Sequence, residues 1–163
     1  MDPSVLFVAN YISLGSMANY LSLHYHIVFS TKNRVPYLEK DWRDRLHAYL
    51  SGTVSGLKAF PQNTGGWNDH VHLLLGMPAT HCVSDLVREV KKASNKWIRE
   101  EIGVRNFEWQ DNYAAFTVGH REREIVRSYI DHQEEHHRKK TFQEELLVLL
   151  NDHGVEFNPK YFG

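Results

Sequence analysis

The stretch Asp69-His70-Val71-His72-Leu73-Leu74-Leu75 places two imidazoles in phase within a strand-like pattern. Side chains alternate faces along a strand, so His70, His72 and Leu74 point one way and Val71, Leu73 and Leu75 the other. The apolar trio requires a core on one side of a sheet. The two imidazoles, about 7 Å apart at their Cα atoms by strand rise, can converge on one ion above the other side. The chain must therefore build a sheet with one apolar face and one face free for polar chemistry.

The flanking patterns supply such a sheet. Leu21, Leu23, Tyr25, Ile27 and Phe29 alternate with Ser22, His24, His26, Val28 and Ser30, the signature of a half-buried strand with His24 and His26 turned away from the core. Trp42, Leu46, Tyr49, Leu50, Val54 and Leu57 recur at helical spacing, predicting an amphipathic helix over 39–57 that ends near Gly56. Residues 59–67, with Pro61 and the Gly65-Gly66 pair, read as a short or bulged strand turning into the His70 strand, which Pro78 closes. Val83, Leu86, Val87, Val90, Trp97, Ile98 and Ile102 predict a second helix stopped by Gly103. The aromatic and β-branched run 107–118 reads as another strand, interrupted near Asp111-Asn112. After Gly119, Ile125, Val126, Tyr129, Ile130 and Gln133 share one helical stripe. Thr141 and Glu144 form a capping box before a last helix carried by Phe142, Leu146, Leu147, Leu149 and Leu150, with Gly154 as its stop.

The order strand, helix, strand, strand, helix, strand fits an α+β fold of the split βαβ, ferredoxin-like kind, with a four-stranded antiparallel sheet and helices on one face, followed by two further helices. Its first and third strands are central neighbours, so His24 and His26 are expected beside His70 and His72 on the uncovered face. The chain has 163 residues, enough for one domain with a proper core, read as residues 17–163. Residues 1–16 lack the basic start of a signal peptide and any clean period, and read as an extension upstream of a natural start at Met17.

Composition removes several classes of function. The single cysteine, Cys82, rules out an internal disulfide framework and a cysteine-rich zinc site, is read as a small packing residue, and fits a cytoplasmic location. No apolar run approaches the roughly 20 residues of a membrane span. A net charge of −1 means that any nucleic acid must be held by a segregated basic face. Residues 86–99 offer one: Arg88, Lys91, Lys92, Lys96 and Arg99 stand against Glu89 alone. Lys32 and Arg34 form a second basic pair on a loop. A solvated helix face remains the alternative reading of the first group.

Two strand histidines are half a metal site. Gln133 is the candidate third ligand, since a carboxamide oxygen leaves open positions for a substrate phosphate. Asp69 is placed to orient an imidazole, and His26 is a candidate neighbour of the site. Tyr129 precedes Gln133 by four residues and shares its helix face, with a rise of about 6 Å between them. A tyrosine hydroxyl, with a free pKa of about 10, becomes a nucleophile only when a nearby cation favours its phenolate. A tyrosine merely packed in the core is the alternative. His132, His136 and His137 are read as a hydrated polar helix end, and Trp67 and Trp109 as packing residues.

These residues carry a resemblance. His70-Val71-His72 within Asp69–Leu74, the helix Tyr129-Ile130-Asp131-His132-Gln133, the opening His26-Ile27-Val28-Phe29-Ser30-Thr31-Lys32 and the later Phe107-Glu108-Trp109-Gln110 resemble the single-tyrosine HUH transposases of small insertion sequences, including their relatives associated with repetitive extragenic palindromes. The likeness runs from about Met17 to the end. It implies a metal-dependent strand transferase for single-stranded DNA carrying hairpins. By that resemblance His70, His72 and Gln133 hold Mg2+ or Mn2+, and Tyr129 forms a 5′-phosphotyrosine that another 3′-hydroxyl resolves, with no nucleotide cofactor. It also implies a homodimer, although the palindrome-associated branch can be monomeric. The tail after Lys140 departs from the shortest members. Two other readings stay open: a catalytically silent hairpin-binding protein, and a small zinc hydrolase unconnected with DNA.

Overall fold

The computed structural model describes residues 19–158, so the expectations for 1–16 and for a start at Met17 lie outside the described residues. Four strands, β1 (His24–Ser30), β2 (Phe60–Gly66), β3 (His70–Gly76) and β4 (Ala114–Thr117), form one antiparallel sheet in the order β2-β3-β1-β4. This is the expected ferredoxin-like order, with β1 and β3 central. Their register sets His26 opposite Leu74 and Val28 opposite His72. A bulge between Pro61 and Asn63 interrupts β2, as its proline-bearing sequence suggested. The fourth strand is likewise broken: Trp109 makes only an isolated bridge to Thr31 before β4 begins.

Helices α1 (Lys40–Gly56) and α2 (Val83–Trp97) cover one face. Trp42, Leu46, Leu50 and Val54 of α1 and Leu86, Val87 and Val90 of α2 close a core over Ile27, Phe29, Val71, Leu73 and Leu75. Each fully buried aliphatic side chain there contributes roughly 1.5–3 kcal/mol. Trp109 belongs to the same core and donates from Nε1 to Ser94 Oγ at 2.9 Å, in keeping with its reading as a packing residue. Beyond α2 a π-helical turn, Ile98–Ile102, ends at Gly103, whose φ of 90° is a left-handed value that glycine adopts without strain.

The opposite face is not open, contrary to the expectation of an uncovered histidine surface. Helix α3 (Arg123–Asp131) packs over β2 and β3, the single turn α4 (Gln133–His136) follows a break at His132, and α5 (Phe142–Asp152) lies over β1 and β4. Val28, Phe116, Phe142 and Leu150 form one small core there, and Leu74, Val118 and Ile130 another. The reason is that Val28, Leu74 and Phe116 leave apolar area on the histidine face, and the tail carries the residues to cover it. The strand beginning at Leu21 is also shorter than expected: β1 starts at His24 and Leu21 is exposed. Ile125, placed on the inner stripe of the tyrosine helix by its spacing, is exposed because α3 sits with Val126 and Ile130 toward the sheet.

Gly65 sets how closely α3 approaches. A Cβ at this position would lie 2.6 Å from Ile130 Cγ2 and 2.8 Å from the Ile130 carbonyl oxygen. Gly65→Ala is therefore expected to push α3 off the sheet and cost about 1–3 kcal/mol. Gly52→Ala, within α1 and with nothing within 4 Å of the added methyl, is expected to stabilise by up to about 1 kcal/mol. Urea unfolding of the two variants tests the contrast, and equal stabilities would remove Gly65 as the spacer.

Candidate active site

The seam between α3 and α5 lies over β1 and β3, and the strand alternation delivers His26, His70 and His72 into it. All three are buried, His70 and His72 completely. His70 Nδ1 is 2.7 Å from Asp69 Oδ1, so this nitrogen donates and Asp69 fixes the ring. His72 Nδ1 is 2.9 Å from His26 Nε2. Gln133 is buried and its Oε1 lies 3.1 Å from His70 Nε2. Tyr129 reaches the same place, its ring edge-on to His72 with centroids 5.8 Å apart. The structure thus brings together Asp69, His26, His70, His72, Tyr129 and Gln133. A cavity of about 340 Å³ opens beside them between α3 and α5, with His26, Val126, Tyr129, His136, Glu145 and Leu149 among its walls.

One residue at the centre was missed. Glu145 of α5 is almost fully buried, with Oε2 3.3 Å from His70 Nε2 and 3.0 Å from His137 Nε2, and Oε1 3.4 Å from His72 Nε2. It accepts hydrogen bonds from Gln133 Nε2 at 2.9 Å and from the Tyr129 hydroxyl. A sequence signal existed. Three residues after Phe142 and four before Leu149, Glu145 falls on the apolar stripe of its helix, where a lone carboxylate needs a partner. His137 corrects a second reading: rather than lying at a hydrated helix end, its side chain is buried against Glu145 and Gln133, because the chain bends at His132 and tucks the following turn under α5.

The electrostatics follow from this packing. Burial would lower His70, but hydrogen bonds to Asp69 and Glu145 outweigh it and raise its pKa to about 9. Burial and the His72 neighbour hold His26 down at about 3, and burial holds His72 and His47 at about 4. Burial alone would raise Glu145, yet the rings of His137, His70 and His72 beside it keep its carboxyl far below the usual range. Tyr129 is pushed well above the normal phenol value by burial and by the Glu145 charge.

From these shifts the metal-free protein is expected to be most stable near neutrality. Below pH 6.5 the unfolded chain takes up protons that folded His26, His47 and His72 refuse, so stability falls toward pH 4. Above pH 6.5 folded His70 keeps a proton the unfolded chain has lost, so its contribution fades toward pH 9. Each group changes stability by at most about 1.4 kcal/mol per pH unit. Thermal melting in EDTA across pH 5–8, below the range where Lys91 opposes the trend, should trace this dome; a monotonic profile would contradict it.

The structure does not bring the basic residues to the histidines. Because Leu86, Val87 and Val90 turn α2 toward the opposite face of the sheet, its polar side looks away from the site. Lys92 and Lys96 are exposed there, and Arg88 pairs with Asp85 at 2.7 Å. Lys91, expected among the phosphate contacts, instead donates to the carbonyls of Gln110, Asp111 and Asn112 at 2.7–3.1 Å, and burial lowers its pKa to about 8. It staples the loop before β4. Arg99 Nε donates to the Phe107 carbonyl at 2.8 Å, and Lys32 pairs with Glu108 at 2.6 Å. Arg34 lines a separate cavity with Phe142, which stacks on His70. Cys82 is exposed at the start of α2 rather than packed.

Paired strand histidines, a carboxamide and a tyrosine thus meet on a covered ferredoxin-like sheet, and comparison with known proteins gives the family. Residues 19–133 match the family described as Transposase IS200 like, and the chain belongs to that family. It is 28% identical over 120 residues to the ISDra2 transposase TnpA of Deinococcus radiodurans, covering 68% of this chain and 84% of that protein. Among solved structures, it is similar to a protein of Deinococcus radiodurans R1 assigned as a transposase, with TM-score 0.59 and 24% identity over 74% of this chain and 98% of that one. It is also similar in fold to the REP-associated tyrosine transposase bound to a REP hairpin, with TM-score 0.55 and 16% identity over 76% and 74% of the two chains.

Proposed function

We propose that this transposase cleaves and rejoins single-stranded DNA at hairpin-bearing ends through a 5′-phosphotyrosine on Tyr129, with Mg2+ or Mn2+ held by His70, His72 and Gln133. The observation that carries the reading is the convergence of these four side chains from three elements on one buried point. Family membership supports a transposase, and the hairpin held by the REP-associated relative supports that form of DNA. The donor set fits a divalent ion: His72 Nε2 is buried with no hydrogen-bond partner, while Nδ1 is held by His26.

When bound, the ion supplies Lewis-acid polarisation of the scissile phosphate. Asp69 and His26 fix the two imidazole rings so that each presents Nε2 to the site. Tyr129 forms a bond from its oxygen to phosphorus as the bond to the 3′-oxygen breaks, leaving a free 3′-hydroxyl. The ester is conserved in the protein link, so rejoining needs no nucleotide cofactor. Lys92, Lys96 and Arg34 are the candidates for backbone phosphates, which position the strand without reading its sequence. Tyr129 reaches the histidines of its own chain, so the homodimer implied by the resemblance is not needed to complete this site.

The test is a denaturing-gel assay with labelled single strands from both flanks of the gene, in Mg2+, Mn2+ or EDTA. A metal-dependent covalent adduct is expected. Hairpin binding without an adduct would replace the enzyme with a silent hairpin-binding protein.

A further inference from the structure

We propose that Glu145 is a direct ligand of the divalent ion, so that the centre is His70, His72 and Glu145 with Gln133 at its edge. The inference rests on the metal-dependent reading above. It adds to the centre a residue from α5, outside the residues that match the family.

The spacing of donor atoms carries it. Metal–ligand bonds of about 2.1 Å place neighbouring donors about 3.0 Å apart in an octahedron and about 3.4 Å apart in a tetrahedron. Glu145 Oε2 lies 3.3 Å from His70 Nε2, Glu145 Oε1 lies 3.4 Å from His72 Nε2, and Gln133 Oε1 lies 3.1 Å from His70 Nε2. One ion can therefore be received with little movement of these side chains. His72 Nε2 supplies the independent observation. It is fully buried, aimed at the carboxylate, and makes no hydrogen bond there despite the 3.4 Å approach. Such a nitrogen is costly to bury unless something accepts its lone pair.

The helix presents Glu145 rigidly. Thr141 and Glu144 cap its first turn, and Phe142 and Leu150 anchor it on both sides of the carboxylate. His137 Nε2, 3.0 Å from Oε2, orients the group from behind. Chemically, a carboxylate oxygen is a better donor to Mg2+ or Mn2+ than an amide oxygen, because these ions favour hard anionic oxygen. Ligation also engages the oxygen to which Tyr129 donates, and so frees that hydroxyl for a phosphate.

Calorimetric titration of Mn2+ into the full chain tests the assignment. Wild type should bind one ion; Glu145→Gln, which keeps the shape of the side chain, should weaken binding by at least about tenfold. Glu100→Gln, an exposed carboxylate beyond α2, should leave it unchanged. Hydrogen exchange on the unmodified protein gives a second readout, independent of whether the variant folds: Mn2+ should slow exchange across Phe142–Asp152. Unchanged or tighter binding by Glu145→Gln, or faster exchange in α5, would show that the carboxylate is displaced by the ion and overturn the proposal. Absence of Mn2+ binding by wild type would overturn the metal-dependent function with it. A metal-dependent adduct alongside unchanged affinity in Glu145→Gln would overturn the Glu145 assignment alone.

Discussion

Tyr129→Phe is expected to abolish the covalent protein–DNA adduct, a loss on the order of 10⁴-fold or more, since no other group can take over a removed nucleophile. The substitution removes one oxygen and leaves the ring in place against His72, His26 and His136. Glu145 loses one hydrogen-bond donor but keeps Gln133 and the neighbouring histidines. The stability cost should therefore stay near 1 kcal/mol, and hairpin affinity should be unchanged within a factor of about two, because none of the basic residues proposed to hold the DNA is altered. The pair of measurements is a denaturing gel for the adduct and a native gel for binding. An adduct that persists in Tyr129→Phe would move the nucleophile elsewhere. Loss of both adduct and binding would mean that the tyrosine holds the fold or the DNA rather than attacking it.

His70→Ala is the second large expectation, and it should act on stability and metal together. The imidazole is fully buried, bonded to Asp69, within reach of Gln133 and Glu145, and stacked on Phe142 with ring centroids 4.5 Å apart. Truncation leaves the Glu145 carboxylate without its cationic neighbour and opens a void beneath α5. Breaking a buried charged pair from one side costs about 3–5 kcal/mol, so α5 should loosen first. Mn2+ binding should fall below detection, since one of two imidazole donors is gone. Chemical denaturation in EDTA and calorimetric titration of Mn2+ separate the two effects. Retained micromolar Mn2+ affinity in His70→Ala would remove this residue from the ligand set.

How much of this was readable in advance depends on whether the signal was local. The strand alternation of 69–75 told which side chains face the core, and the structure keeps Val71, Leu73 and Leu75 there. The Thr141–Glu144 capping box formed as read, because a cap is made by residues three apart and needs no distant partner. The break at His132 and the burial of His137 were not readable, because they depend on α5 lying over the following turn. Lys91 shows the same limit from the other side. Its place on a basic stripe is a matter of spacing, but its three carbonyl partners come from a loop 19–21 residues away, which only folding brings to its ammonium.

By itself the sequence determined the sheet, its strand order and the phase of the histidines, since these follow from side-chain periodicity and from the pairing of central strands. It also named the tyrosine and the glutamine, four residues apart, although the single helix read for them is broken at His132 and they stand on α3 and α4. The tertiary structure alone decided that the histidine face is covered and that a carboxylate from the last helix closes the site. A helix shows its apolar stripe in its sequence but not the surface it will cover, and Glu145 acquires its role only where that stripe meets β1 and β4.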